Sequence, residues 1–206
     1  MDRPITGNPS SDRQKIEWLK CSWSVLYFIV EYVIIYDATT SEWIDFRLWP
    51  AQRSALAVLV ASAKVLVLKA RQLGLSWLVL AYCLHVILFR PRSRVLLFSM
   101  REDEAFELLR RVKFMYGQLP AWMQAERVTV DNAGHFEIST GSSAMAFSTG
   151  GGRSYTGTVA VIDEADFVRG LARFLNAVKP TVDAGGQLFL ISTSDKTRPL
   201  STFKNL

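Results

Sequence analysis

The 206-residue chain is half hydrophobic, enough to bury a sizeable core in one domain with at most a small appendage. Its 24 Lys and Arg against 19 Asp and Glu leave a formal charge of +5, a balance that fits a polyanionic partner without requiring one. Cys21 and Cys83 lack any CxxC or Cys/His clustering, and His85 and His135 stand alone, which argues against a disulfide framework or a zinc site and for buried thiols in a reducing compartment.

Residues 1–12, with Pro4, Gly7, Pro9 and Ser10-Ser11, read as a flexible lead-in. From Asp12 to about Tyr36 the spacing of Ile16, Leu19, Trp23, Leu26 and Tyr27 predicts an amphipathic helix. Strand is the open alternative over Phe28 to Tyr36, where β-branched and aromatic residues concentrate. Trp23 to Tyr36 is strongly apolar, but fourteen residues that include Glu31 are too few and too charged for a membrane span. The run also lies too far from the start, behind Asp12 and Glu17, for a secretory signal, so a soluble, cytoplasmic protein is expected. Asp37 to Glu42 is a polar turn, and Phe46-Arg47-Leu48-Trp49-Pro50-Ala51-Gln52 opens a helix through about Val60, with Pro50 in its first turn.

Val65 to Leu68 is a strand-like apolar run, and the helix-like run from Trp77 is apolar nearly all round until Arg90-Pro91 stops it. Between them lies Lys69-Ala70-Arg71-Gln72-Leu73-Gly74-Leu75-Ser76. Strand, loop and helix in that order make an anion site, because the unpaired N–H groups and positive dipole end of the helix face the loop. The usual phosphate loop is Gly, four residues, then Gly-Lys-Ser/Thr. Gly74 and Ser76 hold their places here, while Leu75 stands in the lysine position and Lys69 in that of the first glycine. The expected arrangement has Lys69 folded across the loop to the β and γ phosphates, Arg71 as a second cation and the Ser76 hydroxyl on Mg²⁺. The competing reading is a solvated strand-end lysine followed by a chance Gly-x-Ser.

Val95 to Phe98 predicts a strand, Arg101 to Gly117 a helix with acids in its first turn, and Pro120 to Arg127 a loop. Val128–Val130 and His135–Ile138 predict a hairpin around Asp131-Asn132-Ala133-Gly134, and Ala144 to Phe147 a short strand. Ser148-Thr149-Gly150-Gly151-Gly152-Arg153 is a Gly-rich loop ending in a cation, open between an arginine finger for a neighbour's γ-phosphate, a DNA contact and a solvated side chain. Val159 to Ile162 is a strand of the kind buried on both faces of a parallel sheet, and it runs into Asp163-Glu164. A nucleotide hydrolase needs one carboxylate at such a strand end in the Mg²⁺ shell and a second to polarise the attacking water. Leu171 to Val182 predicts a helix and Leu188 to Ile191 a strand ending in Ser192-Thr193-Ser194, a polar triplet placed either to sense the γ-phosphate or merely to cap the strand. Asp195 to Leu206 reads as a linker.

With these motifs in place, the sequence resembles the ATPase domain of the large terminase subunit, the DNA-packaging motor of tailed bacteriophages, over roughly Phe46 to Ser194. A loop that starts with lysine, continues Ala-Arg and ends Gly-x-Ser is familiar in that family. The resemblance implies an α/β P-loop NTPase of the additional-strand, catalytic-glutamate (ASCE) type, with a mainly parallel central sheet flanked by helices and a small N-terminal helical subdomain. It divides the chain into a lead-in over 1–45, an ATPase core over 46–195 and the start of a linker over 196–206. It implies ATP and Mg²⁺ as cofactors and assigns the adenine edge to Gln52, Mg²⁺ to Ser76 and Asp163, catalysis to Glu164, coupling to Ser192, Thr193 and Ser194, and a finger acting in trans to Arg153. The implied partners are double-stranded DNA, further copies in a homo-oligomeric ring on the portal, and the small terminase subunit, in the host cytoplasm and without a membrane. Large terminases normally continue into an RNase H-like nuclease domain; only twelve residues follow Ser194, so no DNA cleavage is expected from these 206 residues.

Two rival readings stay open. Asp163-Glu164-Ala165-Asp166 also spells the acidic motif of superfamily 2 helicases, and loss of the usual loop lysine fits a nucleotide-binding assembly module without catalysis. Arg90, Arg92, Arg94, Arg110, Arg111 and Lys113 are candidate DNA-phosphate contacts.

Overall fold

The structure, a computed structural model, describes residues 7, 9–125, 127–151, 155–183 and 185–206. Helix α1 (Asp12–Trp23) starts on a capping box in which the Ser11 hydroxyl accepts from the Gln14 N–H and the Gln14 side chain reaches back to the Ser11 backbone. The single helix expected through Tyr36 is split at Ser24. Its backbone N–H closes α1 on the Lys20 carbonyl, and its hydroxyl accepts from the Tyr27 N–H to start α2 (Val25–Tyr32). The β-branched residues that follow then take the strand alternative: β1 (Ile34–Asp37) and β2 (Glu42–Asp45) form an antiparallel hairpin, its turn held by Asp37 accepting from the Thr39 N–H and the Thr40 hydroxyl.

Helix α3 (Pro50–Ala61) leads to β3 (Lys64–Leu68), α4 (Leu75–Phe89), β4 (Arg94–Ser99) and α5 (Glu102–Gln118). Then come β5 (Val128–Asp131), β6 (His135–Ile138), β7 (Ser143–Ser148), β8 (Val159–Asp163), α6 (Leu171–Asp183) and β9 (Gln187–Ser192). The larger sheet has seven strands in the order β3-β9-β8-β4-β7-β6-β5, parallel from β3 to β7 and antiparallel beyond. Strand β9 is therefore the additional strand, inserted between the strand that leads into the loop and the strand that ends in the two acids.

Side chains alternate across this sheet with period two. Val95, Leu97, Val161, Phe189 and Ile191 pack on the side of α4 and α5, and Leu96, Phe98, Ile162 and Leu190 on the side of α6. Helix α4 is buried from Leu78 to Phe89, which explains why its sequence shows no polar face. Trp18 packs tilted and Phe28 edge-on against Phe89 at centroid distances of 4.7 and 5.6 Å, so the N-terminal helices are bound to the core through α4. Truncating Leu84, which is fully buried in α4, to alanine is expected to destabilise the fold by about 2–5 kcal/mol, read as a lower urea midpoint at unchanged slope. The stretch read as a linker folds back onto the sheet instead. Phe203 is 2 % exposed and joins the core on the α6 side.

Candidate nucleotide-binding and catalytic site

Strands β3, β8 and β9 are parallel, so the loop after β3, the acids after β8 and the triplet after β9 emerge at one edge of the sheet. The loop climbs away from β3 with Lys69 N–H bonded to the Ser192 carbonyl at 2.9 Å and turns through two left-handed residues, Gln72 (φ 61°) and Gly74 (φ 67°), before α4 begins. The Lys69 side chain, 10 % exposed, folds back across it. Its ammonium lies 3.2 Å from Ser76 Oγ, 3.3 Å from Glu164 Oε1 and 3.9 Å from Asp163 Oδ1, while Ser76 Oγ is 3.5 Å from Asp163 Oδ1. Residues 95 positions apart thus meet in one polar cluster at the N-terminus of α4.

Gln52 braces this loop from α3. Its amide donates to the Leu73 carbonyl at 2.9 Å and accepts from the Trp49 N–H at 3.0 Å, so both ends hold backbone and the side chain is 6 % exposed. One Nε2 hydrogen and one Oε1 lone pair are left over from these two bonds. Gly74 is needed where it stands. A Cβ there would sit 2.8 Å from Gln52 Nε2 on a left-handed backbone, so Gly74→Ala is expected to strain the loop by about 1–2 kcal/mol. It should also displace the Gln52 brace, seen as a lower melting temperature together with weaker nucleotide binding.

The two acids are set apart electrostatically. Burial pushes the Asp163 carboxyl above the usual aspartate range; the Lys69 and Arg111 charges draw it back only in part, and neighbouring Glu164 adds to the rise. Burial also acts upward on Glu164, but the Thr193 backbone N–H, the Lys69 charge and the Thr193 hydroxyl outweigh it and hold this carboxyl below its usual range. Glu164 Oε2 accepts from Thr193 N–H at 3.0 Å and Thr193 Oγ1 at 2.9 Å, with Ser192 Oγ at 3.3 Å. Its backbone is left-handed (φ 48°, ψ 43°), a conformation a non-glycine residue keeps only where its surroundings enforce it. Ser76 Oγ and Asp163 Oδ1 offer two hard oxygens at a helix N-terminus, which fits Mg²⁺, an ion that takes few protein ligands and completes its shell with phosphate and water. Among the described residues no group of three His, Cys, Asp or Glu is gathered for a metal held by side chains alone.

A cleft of about 810 Å³ opens beside the loop, bounded by the β1–β2 hairpin, Trp49, Gln52, Gly74 and Trp77. Trp43 forms one wall, stacked on Phe114 of α5 at 3.5 Å and edge-on to Trp77 at 6.4 Å. Trp49 is 60 % exposed at the rim, and Phe46 is buried beside Gly74. The Arg111 guanidinium lies 5.1 Å over the Trp77 ring and is tied to Glu107 at 3.2 Å. Arg111, counted from sequence among the basic candidates for DNA, is close enough to Asp163 for the two charges to act on each other. Arg110 pairs with Glu107, and Lys113 with Asp131.

Within the loop Ala70, Arg71, Gln72 and Leu73 are exposed and Leu75 is half-buried. Ser192 and Thr193 turn inward to Glu164, whereas Ser194 is exposed. Arg153 lies outside the described residues.

No family model and no curated protein matches the chain. Solved structures do: the large terminase of bacteriophage HK97 aligns at a TM-score of 0.69 and 18 % identity over 83 % of this chain and 37 % of that one. The fold is that of a large terminase ATPase domain. The ATPase domain of the Thermus phage P74-26 large terminase aligns at 0.59 and 17 % identity, and a variant of it at 0.65 and 19 %, each over 78 % of this chain and 69 % of the other. The chain therefore spans little more than a third of the HK97 large terminase.

Proposed function

We propose that the chain is the ATP-hydrolysing motor domain of a viral DNA-packaging terminase, which couples hydrolysis to movement of double-stranded DNA into a procapsid. The observation that carries this reading is the meeting of Lys69, Ser76, Asp163 and Glu164 on one edge of a terminase-like sheet. In this reading the Lys69 ammonium leaves the carboxylates for the β and γ phosphates, which bring more negative charge than the acids they displace, while the loop N–H groups and Arg71 take the remaining oxygens. Mg²⁺, held by Ser76 and Asp163, would neutralise charge on the phosphate oxygens. Freed of Lys69 but still held by Thr193, Glu164 orients the attacking water. Ser192 and Thr193, bonded to the same carboxylate, register loss of the γ-phosphate, and Ser194 carries the change outward. The aromatic cleft takes the base. Arg153 of a neighbouring subunit in a ring completes the charge stabilisation, with the portal and small terminase subunit as further partners in the host cytoplasm. No helix among the described residues is long and apolar enough to cross a membrane.

Phosphate release measured across protein concentration, with and without duplex DNA, tests this. A site that needs a neighbour's arginine gains specific activity as concentration rises, and the DNA stimulation falls steeply with salt. ATP binding with no phosphate release at any concentration would leave only a binding module.

A further inference from the structure

The chemistry above leaves a third acid at the end of β8 unused. Asp166 is 1 % exposed, in the middle of the single 3-10 turn Ala165–Phe167 that follows Glu164, and its carboxylate points away from Lys69 into the C-terminal segment. There Oδ2 accepts from the Asp195 backbone N–H at 2.7 Å and pairs with the Lys204 ammonium at 3.1 Å, while Oδ1 accepts from the Ser201 hydroxyl. Arg198 donates to the Asp166 carbonyl and, through Nε, to Asp195 Oδ2 at 2.7 Å, and Lys204 also donates to the Arg198 carbonyl at 2.8 Å. In the other direction the Asp166 N–H donates to Ser192 Oγ at 3.0 Å, the same hydroxyl that lies beside Glu164 Oε2.

The strained backbone of Glu164 therefore has two anchors. Upstream, Asp163 is in register with Ile191 of β9; downstream, Asp166 is bound by Asp195, Ser201 and Lys204. A buried carboxylate without these donors would be costly, so the turn and the C-terminal segment hold or release together. We propose that Asp166 is the positioning residue that keeps Glu164 in its left-handed, water-orienting conformation, and that residues 195–204 belong to the catalytic apparatus through it. Any load on this segment then reaches the catalytic carboxylate directly. The proposal rests on the ATPase reading only in calling Glu164 catalytic; the mechanical link stands on the contacts alone.

The test compares wild type with Lys204→Met, Lys204→Arg and Asp166→Asn. Loss of the Lys204 charge should lower kcat about tenfold to a hundredfold, because a small misplacement of Glu164 suffices, with the affinity for ATP unchanged. Lys204→Arg should recover most of the loss. Asp166→Asn combined with Lys204→Met should cost no more turnover than the worse single change, since both act through one contact. Amide hydrogen exchange supplies a readout independent of turnover: Lys204→Met should speed exchange at 164–168 and at Thr193 as well as within 195–206. Acceleration confined to 195–206, or kcat and ATP affinity falling in parallel with melting temperature, overturns the proposal. A wild-type chain with no turnover at all defeats the ATPase reading instead, and the exchange pattern still decides whether the link exists.

Discussion

Replacing Glu164 with alanine is expected to lower ATP turnover by about 10²- to 10⁴-fold while leaving nucleotide binding near its wild-type level. The side chain is held on one oxygen by Thr193 and on the other by Lys69, so its position is set before any nucleotide arrives. Glu164→Gln should lose nearly as much activity although it fills the same space, since what is removed is the charge that orients water. Equilibrium binding of a fluorescent ATP analogue alongside phosphate release separates the two effects, and full turnover in either variant ends the assignment. The pH profile gives a second check. The two carboxylates titrate as a coupled pair, and burial moves Asp163 upward while Thr193 and Lys69 hold Glu164 down. On acidification Asp163 takes up its proton above the ordinary aspartate range. The acid limb of kcat/KM should lie above the ordinary aspartate value of about 3.9. The stability signs differ: Glu164 stabilises the fold above its unfolded pKa and loses that contribution as pH falls through its lowered folded value, whereas the charge on Asp163 costs stability above its raised folded value.

The loop and the acids were legible because each carries a local signature: an apolar strand that ends in a loop and helix, and a small-residue strand that ends in paired carboxylates. Placing them together needed only the rule that parallel strands end on one edge. The Ser24 break was not legible, because one serine closes α1 and opens α2 within an unbroken apolar spacing. Lys196, Arg198 and Lys204 gave the last segment the composition of a solvated linker. Two of them are spent on Asp166 and Asp195, and the contacts to Asp166 cross 32 and more positions and leave no periodic trace. Gln52 was singled out by the family resemblance, and composition could not show that its amide would brace the Trp49 and Leu73 backbone. Arg111 was hidden among the neighbouring cations of α5, since its cue is the Trp77 ring, which lies on another helix.

Lys69→Met should have the largest effect on binding. The change keeps the aliphatic stem and removes the one loop ammonium that meets both carboxylates. Charge-assisted hydrogen bonds to phosphate contribute about 1.5–3 kcal/mol, so ATP affinity should fall about tenfold to a hundredfold, and turnover further, because charge on the leaving phosphate is then less well neutralised. The same change should destabilise the nucleotide-free chain. Breaking a buried pair costs about 3–5 kcal/mol, but Asp163 is 15 % and Glu164 35 % exposed, so screening reduces the expected loss to about 1–2 kcal/mol. Its pH dependence has a definite sign. Lys69 stabilises the charged carboxylates, so the gap between wild-type and variant urea midpoints should be widest at neutral pH and close as both acids take up protons. A gap that does not change with pH, or ATP affinity equal to wild type, would mean that Lys69 is not the counter-ion of this site and that the cation of the phosphate loop lies elsewhere.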